Sequence, residues 1–240
     1  MKSYSFVRKL IIPLSGILLF SLLFTACKKD DQPGTTTPVA GLMAFNLTLD
    51  KPATGITLNG SNLTNVPLGF SNYTGAYLPI YTGSQVIEAV DINSNSPFTS
   101  DSQNFETDKY YSSFIVGSNG SYKNVIVEDM LDSLAVTTGE AYVRYINAIP
   151  DSGSAAPSVT ITSGANVMDN NASYRSVSAF SKVAVGDAKI SVSNGSNINA
   201  DRTINLENNK VYTILLVGEP GSTNPDKTVQ IKYIINGTVN

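Results

Sequence analysis

The side chains able to do chemistry in this 240-residue chain are few. Histidine is absent, which excludes Ser-His and Cys-His nucleophile activation and imidazole metal ligation. The single cysteine, Cys27, excludes an internal disulfide and any multi-cysteine metal site. What remains for catalysis is paired carboxylates, a Ser-Lys pair or a lysine nucleophile. From Cys27 onward there is no Ser-x-x-Lys, Gly-x-Ser-x-Gly, Gly-x-Gly-x-x-Gly or P-loop. Carboxylates exist, but spacing along the chain cannot place two of them at glycosidase separation; with no catalytic motif to argue from, we expect no enzyme and no cofactor. Asp91-Ile92-Asn93-Ser94-Asn95-Ser96 begins like a calcium loop. However, Ser96 stands at the glycine position and Ser102 where a bidentate glutamate belongs. It reads as a polar loop, and Glu128, Asp129 and Asp132 read as a solvated end of the chain's first half, so no metal is expected. There are twelve tyrosines and no tryptophan. Tyr73, Tyr77 and Tyr81, four residues apart, would share one face of an extended segment, where their rings could stack on a sugar. The alternative is that they are core or strand-edge residues. A formal net charge of −3 and the lack of a basic patch argue against a nucleic-acid partner.

The amino terminus reads as targeting rather than fold. Lys2, Arg8 and Lys9 precede an apolar run of fifteen residues, Leu10 to Phe24. That run is shorter than the ~20 residues of a spanning helix, and Pro13 and Gly16 interrupt it. Leu23-Phe24-Thr25-Ala26-Cys27 follows, with a small residue before the lone cysteine, as in a secretory signal. The segment resembles the lipobox of bacterial lipoproteins, with Phe24 where an aliphatic residue is usual. The resemblance implies a signal peptide over 1–26 and a diacylated Cys27. Acyl chains add about 0.8 kcal/mol per buried methylene, which makes the membrane the expected partner. Lys28-Lys29-Asp30-Asp31 resembles the surface-export signal of lipoproteins in some Gram-negative bacteria, implying an outer-membrane, outward-facing location. Residues 27–40, with Gln32 to Pro38 rich in Pro, Gly and Thr, read as a flexible tether.

Beyond the tether the chain repeats itself. Phe105-Glu106-Thr107-Asp108-Lys109-Tyr110-Tyr111 through Gly117 matches Leu206-Glu207-Asn208-Asn209-Lys210-Val211-Tyr212 through Gly218 at an offset of 101. Tyr77 to Gly83 matches Phe180 to Gly186 at 103, and Gly41 with Gly139, at 98, is taken to open the two units. We divide the chain into repeat one, 41–131, a linker, 132–138, and repeat two, 139–240. Alternation in Phe45-Asn46-Leu47-Thr48-Leu49, Ser158-Val159-Thr160-Ile161-Thr162 and Ala188-Lys189-Ile190-Ser191-Val192 predicts half-buried strands. Val211 to Val217 is apolar almost throughout and predicts a central strand covered on both faces. Asn-Gly and Pro-Gly pairs punctuate the runs. The predicted fold is all-β: two tandem antiparallel β-sandwiches of immunoglobulin-like kind, each expected to fold alone.

The recurring elements Asn65-Val66-Pro67-Leu68-Gly69, Tyr77-Leu78-Pro79-Ile80-Tyr81-Thr82-Gly83 and the Lys-x-Tyr…Val-Gly strand resemble a bacterial family of cell-envelope proteins of unknown function. Its members often carry the unit in tandem behind a lipoprotein signal, and the resemblance implies no catalytic residues. Repeat two departs from it at Asn170-Asn171-Ala172-Ser173. Asp132-Ser133-Leu134 resembles an O-glycosylation acceptor of exported proteins in some Gram-negative bacteria, which makes Ser133 a modification candidate in the linker. The expected function is a non-enzymatic, membrane-anchored envelope lipoprotein with a structural, adhesive or binding role toward protein or glycan. The alternative is a glycan-binding accessory lipoprotein of a polysaccharide-uptake system.

Overall fold

β-branched and aromatic residues at period two become strands throughout the computed structural model, which describes residues 37–150 and 156–239. Repeat one contains β1 (Val39–Thr48), β2 (Ala53–Leu58), β3 (Ser61–Asn62), β4 (Leu68–Gly69), β5 (Leu78–Tyr81), β6 (Gly83–Asp91), β7 (Ser96–Phe105), β8 (Tyr110–Ser118) and β9 (Ser121–Glu128). A short 3-10 turn, Leu131–Ser133, leads onward. Repeat two contains β10 (Glu140–Asn147), β11 (Ser158–Ser163), β12 (Asn166–Asn171), β13 (Ser181–Ala184), β14 (Gly186–Ser193), β15 (Asn199–Leu206), β16 (Lys210–Val217) and β17 (Gln230–Thr238).

Each repeat is a sandwich of two sheets. In repeat one the outer sheet runs β3-β2-β6-β7, with β4 also on β2, and the inner sheet runs β5-β1-β8-β9. In repeat two they run β12-β11-β14-β15 and β13-β10-β16-β17. Pairing is antiparallel except at one place in each inner sheet, where β1 lies parallel to β8 and β10 parallel to β16. A parallel pair needs a long crossover. Here the crossover is the whole outer sheet, which the chain builds between the two central strands.

Alternation along the central strands splits their side chains between two cores. Leu42 and Ala44 of β1, with Tyr111 and Ile115 of β8, meet Ile56, Ile87 and Ala89 inside the first sandwich. Val143 and Tyr145 of β10, with Tyr212, Ile214 and Leu216 of β16, meet Val159, Ile161, Ile190 and Val192 inside the second. The opposite faces do not reach water. Met43, Phe45, Leu47, Phe114 and Val116 of repeat one pack on Ile146, Ala148, Leu215, Val217 and Ile234 of repeat two. The inner sheets therefore face each other, the sheets stack four deep, and residues Pro38–Asn240 form one compact unit. This third core is why Val211 to Val217 is apolar on both sides.

The repeated motif has a local cause. The Tyr111 hydroxyl accepts from the Glu106 N–H at 3.1 Å, and the Tyr212 hydroxyl accepts from the Glu207 N–H at 2.9 Å. Each ties a strand to the turn before it, in the manner of a tyrosine corner. Gly117 and Gly218 have positive φ, and a Cβ there would lie 2.3 Å from the Ser121 carbonyl oxygen and 2.1 Å from that of Thr228. Register also revises one equivalence. Val39 pairs with Tyr81 as Glu140 pairs with Ala184, so Gly41 corresponds to Tyr142 rather than to Gly139. The fold has room for only one large ring there: a Cβ on Gly41 would meet the Tyr110 ring at 2.6 Å, whereas Tyr142 stands beside Val211.

Candidate functional site

Between the inner sheets lies a closed ring of polar groups. Asp129 follows β9 in repeat one, and its carboxylate is completely buried. Arg144 comes from β10 in repeat two and is 3% exposed. Arg144 Nη1 donates to Asp129 Oδ1 at 2.5 Å, and Nε donates to Thr213 Oγ1 at 3.0 Å. Thr213 donates to Asn236 Oδ1 at 2.6 Å, and Asn236 Nδ2 donates to the Tyr77 hydroxyl at 3.0 Å. Tyr77 closes the ring by donating to Asp129 Oδ2. Ser112 braces the middle, accepting from Arg144 Nη2 at 2.8 Å and donating to Asp129 Oδ2 at 2.7 Å. The guanidinium lies 4.4 Å from the Phe180 ring centroid and 5.5 Å from that of Phe114. Burial, then the neighbouring Asp129 charge, pushes the Tyr77 phenol far above its ordinary range. Further bonds cross between repeats: Lys232 Nζ donates to Ser71 Oγ at 2.5 Å, and Arg175 Nη2 donates to the Ser121 carbonyl at 2.6 Å and to Ser121 Oγ at 3.1 Å.

The acidic cluster read from the sequence is thus divided by burial. Asp129 is an interior residue, not part of a solvated end. Lys109 takes the other two, lying 2.7 Å from Asp132 and 3.6 Å from Glu128. Asp91, first residue of the calcium-like stretch, pairs with Lys51 at 2.7 Å and accepts from the Asn93 N–H at 2.9 Å. That lysine holds the Asp91 carboxyl below its usual range.

The candidate aromatic face comes apart. Tyr73 stacks on Phe45 with ring centroids 5.5 Å apart and packs against the inter-repeat core. Tyr77 belongs to the buried ring and meets Tyr110 edge-on at 5.0 Å. Tyr81 alone stands in water, 70% exposed. Only Tyr81 of the three lies in a strand, so four-residue spacing does not put them on one face. Ser133 is exposed in the 3-10 turn, and its hydroxyl donates to the Met130 carbonyl at 2.7 Å. It borders a cavity of about 310 Å³ that reaches Asp129, Arg144 and Phe180. Cys27 lies outside the described residues.

A larger cleft of about 610 Å³ opens beside Tyr81. Val39, Leu58, Leu63 and Pro79 supply apolar walls, and Asn59, Asn62 and Gln85 supply amides. Asn59 sits at φ +47 in the turn after β2. Its Oδ1 accepts from the Val86 N–H at 2.8 Å, and its Nδ2 donates to Gln85 Oε1 at 2.5 Å. Gln85 Nε2 donates in turn to the Tyr81 carbonyl at 3.3 Å. The Asn59-Gly60 pair is legible as a turn, but nothing in the sequence links it to Gln85, which lies one strand away.

Compared with known proteins, the chain matches the model of a family described as a domain of unknown function, DUF4397, twice, over residues 40–155 and 141–232. No curated protein matches. Among solved structures, one titled "Alpha-glucan recognition by family 41 carbohydrate-binding modules from streptococcal virulence factors" matches at 12% identity. The match covers 76% of this chain and 94% of that one, at a TM-score of 0.22, too low to assign a shared fold.

Proposed function

The chain belongs to the DUF4397 family, and on that premise we propose that it is a non-enzymatic lipoprotein of the cell envelope. It is anchored through Cys27, faces outward from the outer membrane, and serves as a rigid module that presents a surface for adhesion or binding. The observation that carries the rigid-module reading is the core shared by the two inner sheets. Two sandwiches joined only by a linker would swivel; two that bury Phe45, Phe114, Ile146 and Leu215 against each other move as one body. The buried carboxylate, the natural candidate for acid–base work, is saturated by Arg144, Ser112 and Tyr77. Anchoring rests on the sequence around Cys27.

Fractionation of cells expressing the full chain tests the reading. The wild type should sediment with outer membranes and be cleaved by protease added to intact cells. Cys27→Ala should lose the membrane association. A wild-type chain that stays soluble, or a Cys27→Ala chain that remains membrane-bound after signal cleavage, would refute the anchor, and protection from external protease would refute the outward orientation.

A further inference from the structure

We infer that the cleft beside Tyr81 is a binding site for a neutral polyhydroxylated ligand, a saccharide, and that this site belongs to repeat one alone. Its geometry has the three parts such a ligand needs. The first is an aromatic platform: the Tyr81 ring is 70% exposed, next to Val39 at 40%. The two are register partners across β1 and β5, and the C–H face of a sugar ring matches an aromatic face.

The second part is a set of amides already held in place. Val86, Asn59, Gln85 and the Tyr81 carbonyl form one hydrogen-bonded line. Each side-chain NH₂ spends one N–H on that line and keeps a second. Those donors are oriented before any ligand arrives, so little side-chain entropy is lost on binding. Asn62 adds an exposed amide at the rim. Amides donate and accept at once, which suits adjacent hydroxyls.

The third part is the charge. Among the described residues, no Lys, Arg, Asp or Glu lines the cleft. A phosphate, sulfate or metal ion would find no counter-charge there, whereas a neutral hydroxylated ligand needs none. The volume of about 610 Å³ falls in the ~300–1,000 Å³ range of small-molecule clefts.

The second repeat supplies an internal control. Register places Ala184 where repeat one has Tyr81, and Ala188 where it has Gln85. There the Ser163 hydroxyl bonds the Ala184 carbonyl at 2.8 Å, and Ala188 is fully buried. The same fold thus closes with small side chains at both positions, so neither Tyr81 nor Gln85 is required by the architecture. The inference does not depend on anchoring; its failure would leave the envelope-module reading standing.

The test uses the full chain in a detergent without a sugar headgroup. The probes are neutral hexaoses of glucose, in α-1,4 and β-1,4 linkage, mannose, galactose and xylose, with hexagalacturonate as the charged control. At least one neutral hexaose should shift the side-chain amide NMR signals of Asn59 and Gln85. Tyr81→Ala should weaken that binding about tenfold, and Tyr81→Phe should restore most of it, as loss and return of a stacking face require. Tyr81 is so exposed that both variants should melt with the wild type. The inference is overturned if no neutral hexaose moves those signals, if Tyr81→Ala binds like the wild type, or if hexagalacturonate binds as tightly as the best neutral sugar.

Discussion

Asp129 and Arg144 come from different repeats and meet with their side chains almost fully buried. Desolvating such a pair costs several kcal/mol per ion, and the attraction offsets that only when the remaining donors and acceptors are also satisfied. Here Ser112, Thr213, Asn236 and Tyr77 satisfy them. The pair therefore specifies how the inner sheets register more than it adds stability. Tyr77 gives this ring a pH signature. Its folded phenol resists ionisation, while the unfolded one titrates near its ordinary value of about 10. Below that value both states are neutral and the contribution is complete. Above it the unfolded chain loses a proton that the folded chain keeps, so stability falls as pH rises. Tyr77→Phe should cost about 1–3 kcal/mol at neutral pH by leaving Asp129 and Asn236 each short of a partner. It should also lose less stability than the wild type between pH 9 and 11. Chemical melts at several pH values would measure both, and parallel pH curves for the two proteins would remove Tyr77 from this role.

At the scale of the element, the repeated Lys-x-Tyr…Val-Gly strand is a device for turning a corner and ending a strand. The tyrosine hydroxyl ties β8 or β16 to the preceding turn, and the glycine lets the neighbouring strand's backbone come close. Gly117→Ala and Gly218→Ala should each destabilise by about 1–3 kcal/mol, because the added methyl meets backbone oxygen rather than a movable side chain. Gly60→Ala and Gly195→Ala, where a Cβ meets nothing within 4 Å, should cost less. Equal losses at all four positions, in denaturant melts, would show that positive φ alone sets the cost. The glycines and tyrosines of this strand were legible because they recur at one offset. The Gly41–Gly139 equivalence misled because glycine marks turns of many kinds, and only ladder register shows which positions correspond. The cleft was half legible: Tyr81 stood out by type, but Gln85 reaches Asn59 across a β2–β6 pairing that no local pattern encodes.

For the whole molecule, the decisive contact is between the inner sheets. Buried apolar side chains of this size contribute about 1.5–3 kcal/mol each. Repeat two in isolation would present Ile146, Leu215, Val217 and Ile234 to water. The shared core thus replaces the expectation that each repeat folds by itself. The full chain should lose its β-type circular dichroism in one transition, and residues 139–240 alone should aggregate or melt well below it. Two separate transitions, or a soluble monomeric repeat two of undiminished stability, would argue against a common core. Charge adds to the asymmetry: repeat one carries three basic and eight acidic residues, repeat two eight of each. Among the described residues, the one cross-repeat ion pair joins an acid of the acidic unit to a base of the balanced one.

The sequence by itself determined that the chain is all-β, that one unit occurs twice, where turns interrupt it, and that histidine chemistry and an internal disulfide are absent. Those properties follow from residue type and short-range period, which each segment carries alone. Only the tertiary structure decided what covers the second face of β1, β8, β10 and β16, that Asp129 turns inward to Arg144, and that Tyr73 and Tyr77 are half-buried while Tyr81 is exposed. An apolar face requires a cover but does not name it; that choice belongs to the packing of sheets whose strands lie far apart along the chain.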